Sequence, residues 1–457
     1  MIYKFIYKFF LLLIFPLIFI YAVIQSIKQK DFNFFENKFG SILKIKNNYN
    51  LCIHCASLGE INGAENIIKE ISKTNNILIS TNTTSGKKRA KELFPELDII
   101  YFPFDYKFIV YSWLKKAKIK NVLIYETEIW PNFYSVCNEL NIKICMLNAR
   151  VSKDVLDTKV LKKLYKETLN KCTLILCKSG YEKEKYQNIG VNEKLLFTIG
   201  NLKYAYIPDF GDELSDKRNE KLFENNQREI FYIELDSKNE GPYWRHKTKL
   251  WQRYKNSYFL MASTHEPDEK YFLQGIKELL NNGTITVIAP RHISRSSKVC
   301  KFFKKNGIST YLFSELVKAE KYLNENFSGI LIIDTFGDLP KFYSGARYIY
   351  VGGGYSKRGV QNVIEPSTYG KPILVGPNID NFYEEIVNLR KGKGITVIED
   401  NSWISVKENI AKHLKEFDNL DNDTLGKMGG LAKAYNLKFN DVVKKYLSIL
   451  EKENIIN

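Results

Sequence analysis

Short apolar runs of strand length alternate with amphipathic stretches of helix length along most of the chain, and this alternation is the strongest constraint on its fold. Residues 51–56, 76–80, 122–125, 142–147 and 174–177 read as strands, rich in Ile, Leu, Val and Cys. Between them, residues 64–73 and 85–94 carry helical periodicity. Strand, helix, strand repeated in this way predicts an α/β fold, a parallel sheet with helices on both faces. Residues 203–256 break the pattern, being charge-rich, weakly periodic and punctuated by Pro208, Gly211, Gly241 and Pro242. The alternation then restarts at 258–262, 284–289, 330–334, 348–351 and 373–375, and residues 402–450 read as helical. The expected organisation is an apolar leader (1–30), a first Rossmann-like domain (31–203), a linker with an insertion (204–256), a second Rossmann-like domain (257–435) and a C-terminal helix (436–457). Two such domains in tandem face a cleft at the carboxyl ends of their sheets, so functional residues belong just after strands.

The leader is a different kind of sequence. Residues 9–27 hold no charge and are dominated by Phe, Leu and Ile, with Lys4 and Lys8 before them and Lys28 and Lys30 after. The run is at the short end of the roughly 20 residues a spanning helix needs and contains Pro16, which leaves a spanning anchor and a cleaved signal peptide open. The lack of a small-x-small site after it favours a retained membrane anchor helix. Lysines on both flanks leave the orientation undecided. The seven cysteines lie mostly in apolar runs, which reads as reduced core thiols and puts the body in the cytosol. Cys52 and Cys55 have C-x-x-C spacing, but no second pair follows, and His54, His265 and His292 fit no metal-binding spacing, so no metal is implied. A net charge of +17, from 68 Lys and Arg against 51 Asp and Glu, suits an anionic partner or is simply a solvated basic surface. Nucleic acid fits least, because the aromatics form no RNP, OB or zinc signature.

Five segments carry candidate chemistry. Glu60 stands at the turn from the first strand into the first helix, as a general base or as a helix-start carboxylate favoured by the macrodipole. Glu126 and Glu128 flank Thr127 after the strand that ends at Tyr125, and strand alternation points both the same way. As a pair they can hold sugar hydroxyls or shift each other's pKa, or they are loop charges. Arg291, after Ala289 and Pro290, offers a forked donor suited to phosphate or carboxylate, or is a surface arginine in an ordinary loop. Gly352, Gly353 and Gly354 end another strand and allow a ligand close to the backbone, and Asn362 to Glu365 open a helix whose free N–H groups suit phosphate.

Read in order, the segments Ile53 to Glu60 (IHCASLGE), Thr81 to Ser85 (TNTTS), Glu126 to Asn132 (ETEIWPN), Asn148 to Ser152 (NARVS) and Gly200 to Tyr204 (GNLKY) resemble the Kdo transferases, the 3-deoxy-D-manno-octulosonic acid transferases of lipopolysaccharide synthesis. The resemblance continues through ASTH at 262–265, PRH at 290–292, DTFGDL at 334–339 and NVIEPSTYGKPILVGP at 362–377. It implies a GT-B glycosyltransferase with an anchor at the cytoplasmic face of the inner membrane. The implied donor is CMP-Kdo, with no metal or other cofactor, and the implied acceptor a lipid A precursor. It also implies that Glu60 is the catalytic base and that Glu126 and Glu128 support the acceptor side, without ranking the two. For the donor it implies Pro290, Arg291, Gly337, Asp338, Leu339, Asn362, Val363, Ile364 and Glu365, with Glu365 on the ribose hydroxyls. Asp338 stands where the family usually has Glu, and Gln361 where it often has His. A transferase of another nucleotide sugar and a catalytically inactive membrane-bound binding protein are the competing expectations.

Overall fold

The computed structural model describes residues 2–41, 49–205, 258–318, 327–399, 405–439 and 441–457. The expected linker and insertion at 204–256 lie almost wholly outside the described residues. The chain forms two compact units, Met1–Tyr206 with Phe439–Asn457, and Ile207–Lys438.

Among the described residues the first unit holds a seven-stranded parallel sheet in the order β3-β2-β1-β4-β5-β6-β7. The strands are β1 Leu51–His54, β2 Ile77–Thr81, β3 Asp98–Tyr101, β4 Asn121–Tyr125, β5 Lys143–Ala149, β6 Leu174–Cys177 and β7 Leu196–Thr198. All of β1 is buried because helices cover both faces, which is why it reads as a continuous apolar run. Its Leu51 registers with Ile77 on one side and Asn121 on the other, and the order reverses between β1 and β4. Trp113, Phe133, Val122 and Ile144 pack the core of this unit, each fully burying a side chain worth about 1.5–3 kcal/mol. The last helix, Val442–Lys452, belongs here too, with Tyr446 donating to the Gly200 carbonyl at 2.9 Å.

The second unit has its own seven-stranded parallel sheet, ordered β10-β11-β9-β8-β12-β13-β14. These strands are β8 Tyr258–Thr264, β9 Ile285–Pro290, β10 Thr310–Leu312, β11 Ile330–Ile332, β12 Ala346–Val351, β13 Ile373–Val375 and β14 Ile395–Val397. Here the order reverses between β8 and β12. All seven cysteines are buried and unpaired, in keeping with core thiols. The leader forms the helix Ile2–Gln29, continuous through Pro16, and Phe9–Gln29 within it is apolar and long enough to cross a membrane.

Candidate functional site

In open parallel sheets, ligands collect beyond the carboxyl ends of the strands where the order reverses. In the first unit that point is the end of β1 and β4, and both supply carboxylates. Glu60 lies in the first turn of the helix Leu58–Ser72. Its carboxylate folds back to accept the Ala56 N–H at 2.7 Å and the Ser57 hydroxyl at 3.1 Å. These bonds favour the ionised form. Burial outweighs them, and with the nearby Glu126 and Glu128 charges it pushes the Glu60 pKa up to about 8. The same carboxylate therefore ties down the helix start and can exchange a proton near neutral pH.

Glu126 and Glu128 do not point the same way. β4 ends at Tyr125, and Glu126 takes a left-handed φ of 58°, so strand alternation no longer applies. Glu126 turns to Arg150 Nε at 2.6 Å and Lys203 Nζ at 3.1 Å. Burial alone raises a carboxyl, but these two cations hold Glu126 down at about 2. Arg150 comes from NARVS and Lys203 from GNLKY, and Asn148 of the first segment accepts the Leu202 N–H of the second at 3.0 Å. Glu128 instead accepts from Trp130 Nε1 at 3.0 Å and Asn82 Nδ2 at 3.3 Å. Burial raises its pKa, opposed by the Trp130 bond and the Lys38 charge.

Glu128 also edges a cavity of about 390 Å³ walled by Tyr21, Phe34, Pro103, Phe104 and Trp130, with Lys38 and Asn82 as its other polar groups. Lys38 is 6% exposed and donates to Asn82 Oδ1 at 3.0 Å, its ammonium lying 5.4 Å from the Phe104 ring centre. Burial lowers its pKa to about 8, with Glu128 opposing. Sequence reasoning missed Lys38, Arg150 and Lys203. The last two stood in quoted segments without a role, and a lysine in the amphipathic helix Phe32–Lys38 gives no local sign of being buried.

In the second unit the reversal point lies at the ends of β8 and β12. Ser263 takes φ 54° at the end of β8, and the turn continues into His265, whose N–H donates to Asp268 Oδ2 at 2.9 Å. Asp268 also accepts the Gly353 N–H at 2.8 Å and the Tyr350 hydroxyl at 3.0 Å, tying the two strand ends together. The glycines permit this close packing. A Cβ on Gly352 would sit 2.6 Å from the Ser263 carbonyl oxygen, and one on Gly354 2.6 Å from the Gly376 Cα.

His265 is 7% exposed, and its Nε2 is buried with no partner among the described residues. Burial, with the charges of Arg358, His292, Arg295 and Arg291, lowers its pKa to about 4, so the imidazole is neutral in an electropositive setting. Arg295 is held by Glu269 at 2.9 Å, while Arg291 is exposed. Pro290 ends β9, Gly337 and Asp338 lie in the turn after β11, the strand paired with β9, and Leu339 begins the helix Leu339–Gly345 that follows. Asp338 accepts from Thr335 Oγ1 at 2.5 Å. Burial raises Glu365 to about 7, with the Arg291 charge opposing. The helix expected at Asn362 is one turn, Ile364–Thr368 after Val363, and its Ile364 N–H is taken by Asn362 Oδ1 at 3.1 Å. A single turn has little macrodipole to offer an anion.

No group of three or more His, Cys, Asp or Glu side chains among the described residues could hold a metal ion.

Residues 33–206 match the family model described as 3-Deoxy-D-manno-octulosonic-acid transferase (kdotransferase). A bifunctional glycosyltransferase/methyltransferase of Fusobacterium nucleatum is 27% identical over 421 residues, 90% of this chain, which spans 58% of that protein's length. The 3-deoxy-D-manno-octulosonic acid transferase of Haemophilus influenzae is 25% identical over 79% of this chain and 78% of its own. Among solved structures, the UDP-GlcNAc 2-epimerase of Neisseria meningitidis shares the fold at TM-score 0.55 and 12% identity, over 88% of this chain and 99% of that one. The fold is therefore of the GT-B kind, and the family model covers the unit that holds Glu60, Glu126, Arg150 and Lys203.

Proposed function

We propose that this chain is an inverting glycosyltransferase that moves Kdo from CMP-Kdo to a lipid A precursor at the cytoplasmic face of the inner membrane. The observation that carries the reading is Glu60, a carboxyl raised to about 8 at the reversal point of its sheet, close to the pKa a general base needs near neutral pH. Glu60 takes the proton of an acceptor hydroxyl while that oxygen bonds to the anomeric carbon of Kdo. The bond from that carbon to the CMP phosphate breaks on the opposite side, its electron pair leaves with the phosphate, and the centre inverts. Glu126, fixed by Arg150 and Lys203, keeps a negative charge near Glu60 and is a positioning residue. Glu128, at the edge of the cavity beside Lys38 and Trp130, is the acceptor-side carboxylate.

For the donor, Arg291 and Arg358 suit the phosphate and the sugar carboxylate, and the neutral His265 supplies a hydrogen bond to the leaving phosphate. Glu365 takes the ribose hydroxyls. Pro290, Gly337, Asp338, Leu339, Asn362, Val363 and Ile364 shape the same nucleotide site. The apolar segment Phe9–Gln29 attaches the chain to lipid, helped by its basic surface at about 1 kcal/mol per nearby Lys or Arg.

The test is thermal unfolding with nucleotides, followed by product mass from labelled Kdo and a tetra-acylated lipid A precursor. Protection by CMP with none from UDP or GDP, and a product heavier by whole Kdo units, are expected. Protection by UDP or GDP in place of CMP identifies a transferase of another nucleotide sugar. CMP protection without any product identifies a binding protein.

A further inference from the structure

The helix Ile2–Gln29 is held against its own unit along nearly its whole length. Leu11, Ile14, Phe15, Ile18, Ala22 and Ser26 recur at helical spacing and form its protected stripe. Phe9, Leu12, Leu13, Leu17, Ile20 and Ile24 form the other side, each more than half exposed. The protected stripe is fastened at successive turns. Tyr7 donates its hydroxyl to Asp105 at 2.8 Å, and Tyr106 donates to the Leu11 carbonyl at 2.7 Å. Phe15 meets the Tyr106 ring edge-on at 5.2 Å, and Phe19 meets Phe35 at 5.4 Å. The Phe35 N–H donates to Ser26 Oγ at 3.1 Å, and Thr84 donates to Gln29 at 2.6 Å.

From Tyr7 to Gln29 the helix rises about 33 Å, comparable with the roughly 30 Å thickness of bilayer hydrocarbon. An upright helix would therefore carry this contact line through the bilayer. Asp105 is part of that line, and it also accepts the Asn132 and Phe133 N–H groups at 3.0 and 2.7 Å, at the start of the helix Pro131–Glu139. Standing the helix on end either drags this polar cluster into hydrocarbon or breaks the contacts one after another, and both are costly. A helix lying along the membrane surface needs neither. Its exposed stripe enters one leaflet while its protected stripe stays on the protein.

Neighbouring elements extend the same surface. Phe108, 68% exposed, lies 6.1 Å from the Tyr106 ring that touches the helix. The adjoining helix Lys159–Leu169 exposes Val160 and Leu161 beside exposed Lys159 and Lys163, which suits anionic headgroups.

We propose that the chain is monotopic: the helix Ile2–Gln29 lies in the plane of a single leaflet, with the amino terminus and the α/β units on the same side of the membrane. This rests on the membrane attachment proposed above. The test uses the full chain carrying a polar epitope tag ahead of Met1, in sealed inner-membrane vesicles of both orientations. The body is reported by a Lys116→Cys variant read with an impermeant maleimide, the seven native cysteines being buried. Tag antibody and maleimide are expected to reach their targets in inside-out vesicles and neither in right-side-out ones. A tag reached only from the face opposite the body overturns the in-plane helix and leaves the attachment standing. A chain that fails to sediment with vesicles overturns the attachment itself.

Discussion

At the scale of residues, the chemistry rests on carboxylates with different environments. Glu60 is pushed up by burial and like charge, whereas Glu126, the more deeply buried of the two, is held low by two cations. A base works only when deprotonated, so transfer should rise with pH and level off above about 8, read as kcat/KM against pH. Glu126→Gln removes a like charge and leaves Arg150 and Lys203 nearby, both of which favour the Glu60 carboxylate. The rising limb should therefore move to lower pH, by roughly one unit, even if the maximal rate falls. An unmoved limb would mean that Glu60 is not the group titrating. The same substitution should cost roughly 1–3 kcal/mol of stability in denaturant unfolding, discounted because Arg150 is partly exposed. The position of Glu60 after β1 was legible in the sequence. Its raised pKa was not, since that depends on Glu126 and Glu128 arriving from another strand. Their divergence was hidden as well, because a left-handed residue directly after a strand carries no signature when it is Glu rather than Gly.

At the scale of elements, the strands that sequence reading found and those it missed divide by place in the sheet. β3 and β7 were missed in the first unit, β10 and β14 in the second, and these are the edges of the two sheets. Central strands are covered on both faces and read as continuous apolar runs, whereas the edge runs Leu-Phe-Thr, Thr-Tyr-Leu and Ile-Thr-Val are short and partly exposed. The glycine turn after β12 was legible as a turn, but its role depends on Asp268 bridging it to the end of β8. Gly352→Ala places a methyl against the Ser263 carbonyl and Asp268, and should lower stability by about 1–3 kcal/mol. It should also abolish the shift in unfolding temperature produced by CMP. A variant that keeps native CMP protection would show that this turn does not shape the nucleotide site.

At the scale of the whole molecule, each α/β unit gathers its polar side chains where its strand order reverses, carboxylates in the first and arginines with a neutral histidine in the second. That division is what a transfer between a neutral hydroxyl and an anionic donor calls for: a base for one partner, positive charge for the other. The two-sheet plan and the apolar leader were legible from alternation and hydropathy alone. The docking of the leader along the first unit was not, since Tyr7, Ser26 and Gln29 find their partners in segments up to 98 residues away. The most direct test of the account is transfer of labelled Kdo from CMP-Kdo to a tetra-acylated lipid A precursor by the native chain and by Glu60→Gln, with CMP binding measured on both. The account predicts product from the native chain, a loss of at least about 100-fold in the variant, and equal CMP affinity. Transfer by Glu60→Gln at the native rate, with native CMP binding, would contradict it.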